Sequence, residues 1–379
     1  MSVTIAITGQ ALIHEPLCMD GAEAAAVCDF LKADATIGNF EGVVEATGAW
    51  PTKTKTVHAV KETAVASLAT LGFTAMAHAN NHAFDLGPPG IAATHDVMQR
   101  HNIRLAGSGA NIAAASRPVE WAVRQHKFAL FSVDLGPQGE IVYASADRAG
   151  IAPLRIHRTT ALPDQDYARL LAIHEETGDA ARLAARRRTG YSPSVHEGFE
   201  AFGSRFVTGE RVEGRWSADS ADLERLTTAL RNAKSLGRIV ILALHNHHWD
   251  ADWAMPPGWL DRLARELVDA GADVIVGTGA PVMQPVRFYR NRAIMPGLGN
   301  FIFHTGRADV YDEKRVDVWR SVAVRLTLDA GGAMEGIEIL PIQAARLSAD
   351  PQSPRPLAGD DAHEIRERFM SGTSSPVEA

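Results

Sequence analysis

One pattern recurs along this chain: a short apolar, β-forming run that stops abruptly at amide, imidazole or carboxylate side chains. Residues 239–244 are all aliphatic, and His245, Asn246, His247, His248, Trp249 and Asp250 follow at once. Residues 73–77 lead in the same way into His78, Asn80, Asn81, His82 and Asp85. An unbroken apolar run of this length suits a strand covered on both faces. Open α/β sheets collect their chemistry where such strands end. The chain is therefore expected to fold so that these ends share one rim. Smaller examples are Gly9-Gln10, Asn39-Phe40-Glu41, the turn at 277–281, and Asn300 with His304.

Helical segments are expected between the strands, at 22–31, 60–71, 91–101, 220–234 and 259–270. Pro88 and Pro89 suit the first turn of the third of these, and Gly271 suits the stop of the last. Alternating strands and helices predict a layered, partly parallel α/β sheet. We expect one domain over 1–345. Residues of about 140–215 break the alternation and read as a helical insertion or lid, with a helix near 166–177 and a mixed stretch through Tyr191, His196 and Phe202. Within it Arg186, Arg187 and Arg188 read as a solvated face. Residues 346–379 read as a peripheral C-terminal tail.

Composition narrows the classes. The formal charge is −7 and the isoelectric point about 6.1, so no general attraction to nucleic acid or an anionic membrane is expected. Cys18 and Cys28 are the only cysteines, which rules out a thiolate metal site and fits a reducing, cytoplasmic location. The N-terminus reads as a strand rather than a leader. No apolar run approaches the roughly 18 residues that span a bilayer.

The series Gly9, Asn39-Phe40-Glu41, Asn80-Asn81-His82-Ala83-Phe84-Asp85, Gly107-Ser108-Gly109, Ala272-Asp273-Val274-Ile275-Val276-Gly277 and Leu298-Gly299-Asn300-Phe301-Ile302-Phe303 resembles the CapA-like (poly-γ-glutamate capsule biosynthesis) family over about residues 3–305. The resemblance implies a calcineurin-like metallophosphatase fold, a four-layer α/β/β/α sandwich with metal and substrate at the strand-end rim. Two departures stand out. Gln10 occupies the place of the first metallophosphatase aspartate, and Gly277-Thr278-Gly279-Ala280-Pro281 stands where the family often has a glycine–histidine pair followed by a second histidine.

Two-metal phosphoester chemistry needs a bridging carboxylate and several imidazoles, and that set looks incomplete. Gln10, Asn39, Glu41 and Asn81 are oxygen donors and are expected to hold one divalent cation, calcium first, with magnesium, manganese or zinc as alternatives. No organic cofactor is expected. His82 with Asp85, and His247 or His248 with Asp250 or Asp252, are expected as two histidine–carboxylate pairs. Two opposed pairs are what Cα epimerisation requires, and lasso-peptide epimerases resemble a branch of the CapA-like group. His245, Trp249, Trp253 and Asn300 are expected to bind substrate, a peptide or small amino-acid derivative. Two alternatives stand beside epimerisation: a hydrolase of an amide, γ-glutamyl or ester bond, and a non-catalytic binding protein on a degenerate fold. Oligomeric state is left open.

Overall fold

Two sheets organise most of the chain. In the computed structural model, which describes residues 2–54, 56–191 and 197–373, a nine-stranded sheet is built around the opening strand Val3–Leu12. That strand runs parallel to Ala35–Phe40 and to Asn300–Phe303, with Gln10 opposite both Asn39 and Asn300. Along the edge opposite Ala35–Phe40, its first half pairs antiparallel with Arg320–Leu328, from Val3 opposite Leu328 to Ile7 opposite Val324. A six-stranded sheet is centred on Arg238–His245, which lies parallel to His126–Asp134 and Val274–Thr278, so that His245 faces Asp134 and Thr278 in register.

The unbroken apolar runs have a simple cause, because both faces of the central strands are covered. Val3, Ile5 and Ile7 share one core with Phe128, Leu130, Ile239, Ile241, Val274 and Val276 of the other sheet. Ala6 and Ala11 point the opposite way, toward Val27, Leu31, Val65, Leu68, Val97 and Met98 of the helices Ala22–Leu31, Glu62–Thr70 and Gly87–Arg100. On the second sheet, Leu244 and Ile275 line one small cavity with Leu260 and Ala264 of the helix Gly258–Asp269. Each large aliphatic side chain buried this way contributes about 1.5–3 kcal/mol. The layers therefore run helix, sheet, sheet, helix, the four-layer α/β/β/α sandwich expected of a calcineurin-like fold.

Two glycines fix how closely the strand ends approach. A Cβ on Gly9 would lie 1.9 Å from the Gly299 carbonyl oxygen, and one on Gly277 would lie 1.8 Å from that of Pro296. Only a residue without a side chain fits at either place. With Gly9 there, the Gln10 N–H donates to the Gly299 carbonyl at 3.0 Å.

Two expectations need amendment. Arg155–Ser220 forms a compact unit of its own. It is not purely helical: besides the helices Asp164–Glu176 and Asp179–Arg188 it holds a four-stranded sheet in the order Phe199–Ala201, Ser204–Thr208, Ile156–Leu162, Glu213–Ala218. Its strands were hard to read because they are thinly covered, with His157 and Arg158 exposed on Ile156–Leu162. Ring contacts of Phe199 with Phe206, Tyr167 and His174 supply its small core. His196 lies outside the described residues. Second, residues 346–379 are not simply peripheral. Helix Gly359–Met370 buries Ile365 and Phe369 completely, in the core between the main sheets. The end of that segment, from Ser374 on, is outside the described residues. No described helix is long and apolar enough to cross a membrane.

Candidate active site

Glu41 follows the strand Ala35–Phe40, and its N–H donates to the Ala11 carbonyl at 3.0 Å. Its side chain thus leaves the sheet at the strand-end rim. His245 closes the strand Arg238–His245. Its Nδ1 lies 2.9 Å from Thr278 Oγ1, which turns Nε2 toward Asn81 Oδ1 and His247 Nε2, 2.9 Å from each. His247 Nδ1 in turn lies 2.8 Å from the Gln138 side-chain nitrogen. Glu41, His245 and His247 each offer a ligand atom within 4.8 Å of the others.

This set fits a divalent cation. Glu41 Oε2 is buried with no hydrogen-bond partner, which costs free energy that a cation would offset. Burial pushes the Glu41 carboxyl up to about 8; Lys53 opposes the rise, while Asp85 and Asp134 add to it. Burial, then His247 and His82, hold His245 well below its ordinary range. It is therefore the neutral imidazole that a ligand must be. Tethering the second ring nitrogen to a hydroxyl or amide is the support that imidazole ligands use.

Beside the cradle stands a histidine–carboxylate dyad. His82 Nδ1 lies 2.7 Å from Asp85 Oδ2, and His82 Nε2 is 4.0 Å from Glu41 Oε1. The loop is built by Asn80, whose Oδ1 accepts the His82 N–H at 3.1 Å and whose Nδ2 donates to the Phe40 carbonyl at 2.7 Å. The Asn80 side chain thus has a structural role, and it leaves Asn81 to face the cradle. Asp85 is fully buried. It accepts the His58 N–H at 2.9 Å and forms an ion pair with Lys53, which also donates to the Asn81 carbonyl. The His58 ring packs 4.1 Å from that of His82, and its Nδ1 lies 2.9 Å from His14 Nε2.

The two histidine clusters therefore meet at Glu41, but not in the expected roles. His245, expected to bind substrate, and His247, expected as a catalytic base, stand with Glu41 as candidate cation donors, and Asn81 Oδ1 lies beside them. Two imidazole nitrogens thus join the oxygen donors expected there as candidate ligands. Gln10 and Asn39 remain at the same strand ends, where Gln10 Oε1 and Asn39 Nδ2 are buried without partners. Among the described residues, neither His247 nor His248 is paired with Asp250 or Asp252. His248 directs Nε2 to the Leu135 carbonyl at 2.9 Å, and Asp250 is exposed and accepts the Ala251 N–H. Asp252 likewise accepts the Ala254 N–H. Asn300 is wholly buried and donates to the Pro281 and Val318 carbonyls, so it ties loops together rather than meeting a substrate. Trp249 packs between His247 and Trp253 with its ring tilted against both, ring centroids 5.1 and 4.8 Å away, and Trp253 is partly exposed at the edge of that group.

Sequence reasoning missed Lys53 and His58, which sit in a Thr- and Lys-rich loop that carries no local signal of burial. It also passed over Asp134, whose Oδ1 accepts the Tyr143 hydroxyl and the Gly136 N–H, both at 2.8 Å. Burial pushes that carboxyl up to about 7. Its place at the end of the strand beside Arg238–His245 was the available clue.

The profile of the bacterial capsule synthesis protein PGA_cap family matches residues 4–305. The chain belongs to this family. As a PGA_cap protein it is similar to protein y4sH of Sinorhizobium fredii, with 28% identity over 259 residues, 65% of this chain and 53% of that one. It is also similar to the PGA biosynthesis protein CapA of Bacillus subtilis, with 25% identity over 279 residues, 73% of this chain and 55% of that one. The capsule biosynthesis protein CapA of Bacillus anthracis is 25% identical over 285 residues, 74% of this chain and 53% of that one. The chain spans about half the length of these relatives. Among solved structures, the 5'-nucleotidase precursor of Thermus thermophilus is similar with a TM-score of 0.38 and 13% identity, covering 98% of this chain and 58% of that one. The PGA_cap match contains every residue of the cradle and the dyad.

Proposed function

We propose that this PGA_cap protein is a cation-assisted acid–base enzyme that hydrolyses an amide bond in a glutamate-containing peptide, with His82 as the proton carrier. The observation that carries this reading is the single dyad, His82 Nδ1 held 2.7 Å from Asp85 Oδ2, beside the Glu41, His245 and His247 cradle. A divalent cation held by those three residues and Asn81 would supply Lewis acidity, drawing charge from a carbonyl and acidifying water. Two imidazole donors favour zinc or another transition metal over calcium. Asp85 orients the His82 ring and stabilises its protonated form. As water adds to the carbonyl carbon it gives a proton to His82, and as the C–N bond breaks His82 passes that proton to the departing nitrogen. The Trp249 and Trp253 rings offer a platform for the apolar part of a peptide. The glutamate-containing substrate is taken from the name of the PGA biosynthesis relative CapA.

Hydrolysis is placed ahead of Cα epimerisation because two-base inversion needs opposed acid–base pairs, and among the described residues around the cradle His82 with Asp85 is the pair built in that way. Oligopeptides joined by α- or γ-glutamyl bonds, incubated with the metal-loaded protein in deuterated water, separate the readings by mass spectrometry. Shortened products support hydrolysis. Full-length peptide carrying deuterium at one Cα overturns it in favour of epimerisation. Tight binding with neither change makes the chain a binding protein and sinks both.

A further inference from the structure

His304 stands at a strand end like the other rim groups, yet neither the cradle nor the dyad uses it. It follows the strand Asn300–Phe303 and is only 3% exposed. Its Nδ1 accepts the backbone N–H of His14 at 3.1 Å and that of Glu15 at 3.4 Å. A backbone N–H can only donate, so Nδ1 presents its lone pair and Nε2 carries the proton of the neutral ring. Burial, then His14, hold the ring down to about 4 against the opposing pull of Glu15, which keeps it neutral. Nε2 is buried with no hydrogen-bond partner. A buried donor left unmet is costly. A cation cannot meet it, because this nitrogen offers a proton and not a lone pair; an acceptor from outside the chain can.

The surroundings say which kind of acceptor. His14 Nε2 lies 2.9 Å from His58 Nδ1, and the His58 ring packs against that of His82, so a row of imidazoles joins His304 to the dyad. Downstream, the helix Ala308–Glu313 carries Tyr311, whose ring centroid lies 5.7 Å from that of Phe303. The helix is pinned by Asp312, whose Oδ1 accepts Trp319 Nε1 at 2.6 Å and the Arg346 guanidinium at 2.7 Å. Burial raises the Tyr311 hydroxyl above its ordinary range, with Arg307 opposing and Glu41 adding, so it stays a protonated donor within electrostatic reach of both groups. Arg307 is exposed and adds a positive charge. Glu15, the carboxylate that acts on His304, accepts the Ser348 hydroxyl at 2.9 Å. Two neutral donors and a guanidinium along residues 304–311 suit an anion, and a carboxylate takes charge-assisted hydrogen bonds from such donors.

We propose that His304 and Tyr311 form a carboxylate-binding subsite beside the cradle, which holds a carboxylate of the substrate while Arg307 attracts it from the rim. The proposal rests on the glutamate-peptide reading above. It is tested by binding, without reliance on turnover. The metal-loaded full chain is titrated calorimetrically with tri-γ-glutamate and with its carboxamide counterpart. The wild type is expected to prefer the carboxylate form by about tenfold or more, with His304→Leu abolishing that preference and Tyr311→Phe reducing it about threefold, while bound metal stays unchanged. Equal affinity of the wild type for the two probes overturns the subsite, since a water would then suffice for His304. A preference unchanged in either folded variant also overturns it, because the carboxylate would then be held by the cradle's cation. Should His304→Leu fail to fold, Tyr311→Phe decides: a reduced preference supports the subsite and an unchanged one overturns it. No binding of either probe by the wild type fails the glutamate-peptide reading and the subsite together, whereas binding without preference fails the subsite alone.

Discussion

At the scale of single residues, the site depends on what each charged group is tied to. Asp85 serves His82, the His58 N–H and Lys53 together, so Asp85→Asn leaves an ammonium buried without its counter-charge. The expected loss is about 3–5 kcal/mol of stability, read as a lower denaturant midpoint; a midpoint within error of the wild type would show that the ion pair carries little. His82→Gln removes the proton carrier but no cation donor. Amide cleavage should fall about 10²–10⁴-fold with metal content unchanged, and an unaltered rate would remove His82 from the mechanism. Thr278 acts one step back, by orienting His245. Thr278→Val should weaken cation affinity about 10–100-fold in a competitive chelator titration. Equal affinity in the two proteins would mean that the His245 ring is held by other contacts.

At the scale of elements, the rim exists because strands end where glycine lets another backbone come close. A methyl group at position 9 would sit 1.9 Å from the Gly299 carbonyl, and backbone cannot yield as a side-chain tip can. Gly9→Ala is therefore expected to cost at least about 1–3 kcal/mol and to displace Gln10 from its partner strand, visible as faster amide exchange across Val3–Leu12. Unchanged exchange would show that the two strands separate cheaply. Helix Gly359–Met370 looks dispensable as a sequence, yet it fills the core between the sheets. Phe369→Ala should cost about 3–5 kcal/mol by thermal or denaturant unfolding, and a loss below 1 kcal/mol would return this helix to the periphery.

At the scale of the whole molecule, the unit Arg155–Ser220 enters and leaves the chain at one place. The Asp219 N–H donates to the Arg155 carbonyl at 2.8 Å, and Ile156 pairs with Ala218. Replacing the unit with a short glycine-containing turn should leave the two main sheets folded, because their cores draw on none of its residues. The shortened chain is expected to unfold cooperatively and to bind the same one cation expected of the full chain. A molten or metal-free product would show that the sandwich needs this unit to fold.

Much of this was legible in the chain, for a local reason. Whether a run is buried on both faces, and where it stops, depends on neighbours in sequence, so residues 239–244 announced a central strand and His245 its end. The same holds for Asn80, whose side chain bonds a residue only two positions on. The pairings were not legible. Lys53 reaches Asp85 from a loop with no apolar pattern, and His247 takes Gln138 as a partner 109 residues away. Asp250 looked like a partner for the histidines only because it is close in sequence, whereas its backbone turns it to solvent. The sequence by itself determined the alternation of strands and helices, the shared rim and the groups on it. Only the tertiary structure decided that Glu41 beside one sheet comes within 4.8 Å of His245 and His247 at the end of the other, and that His245 Nε2 lies 2.9 Å from Asn81 Oδ1, 164 positions away, because such contacts depend on distance through space and not along the chain.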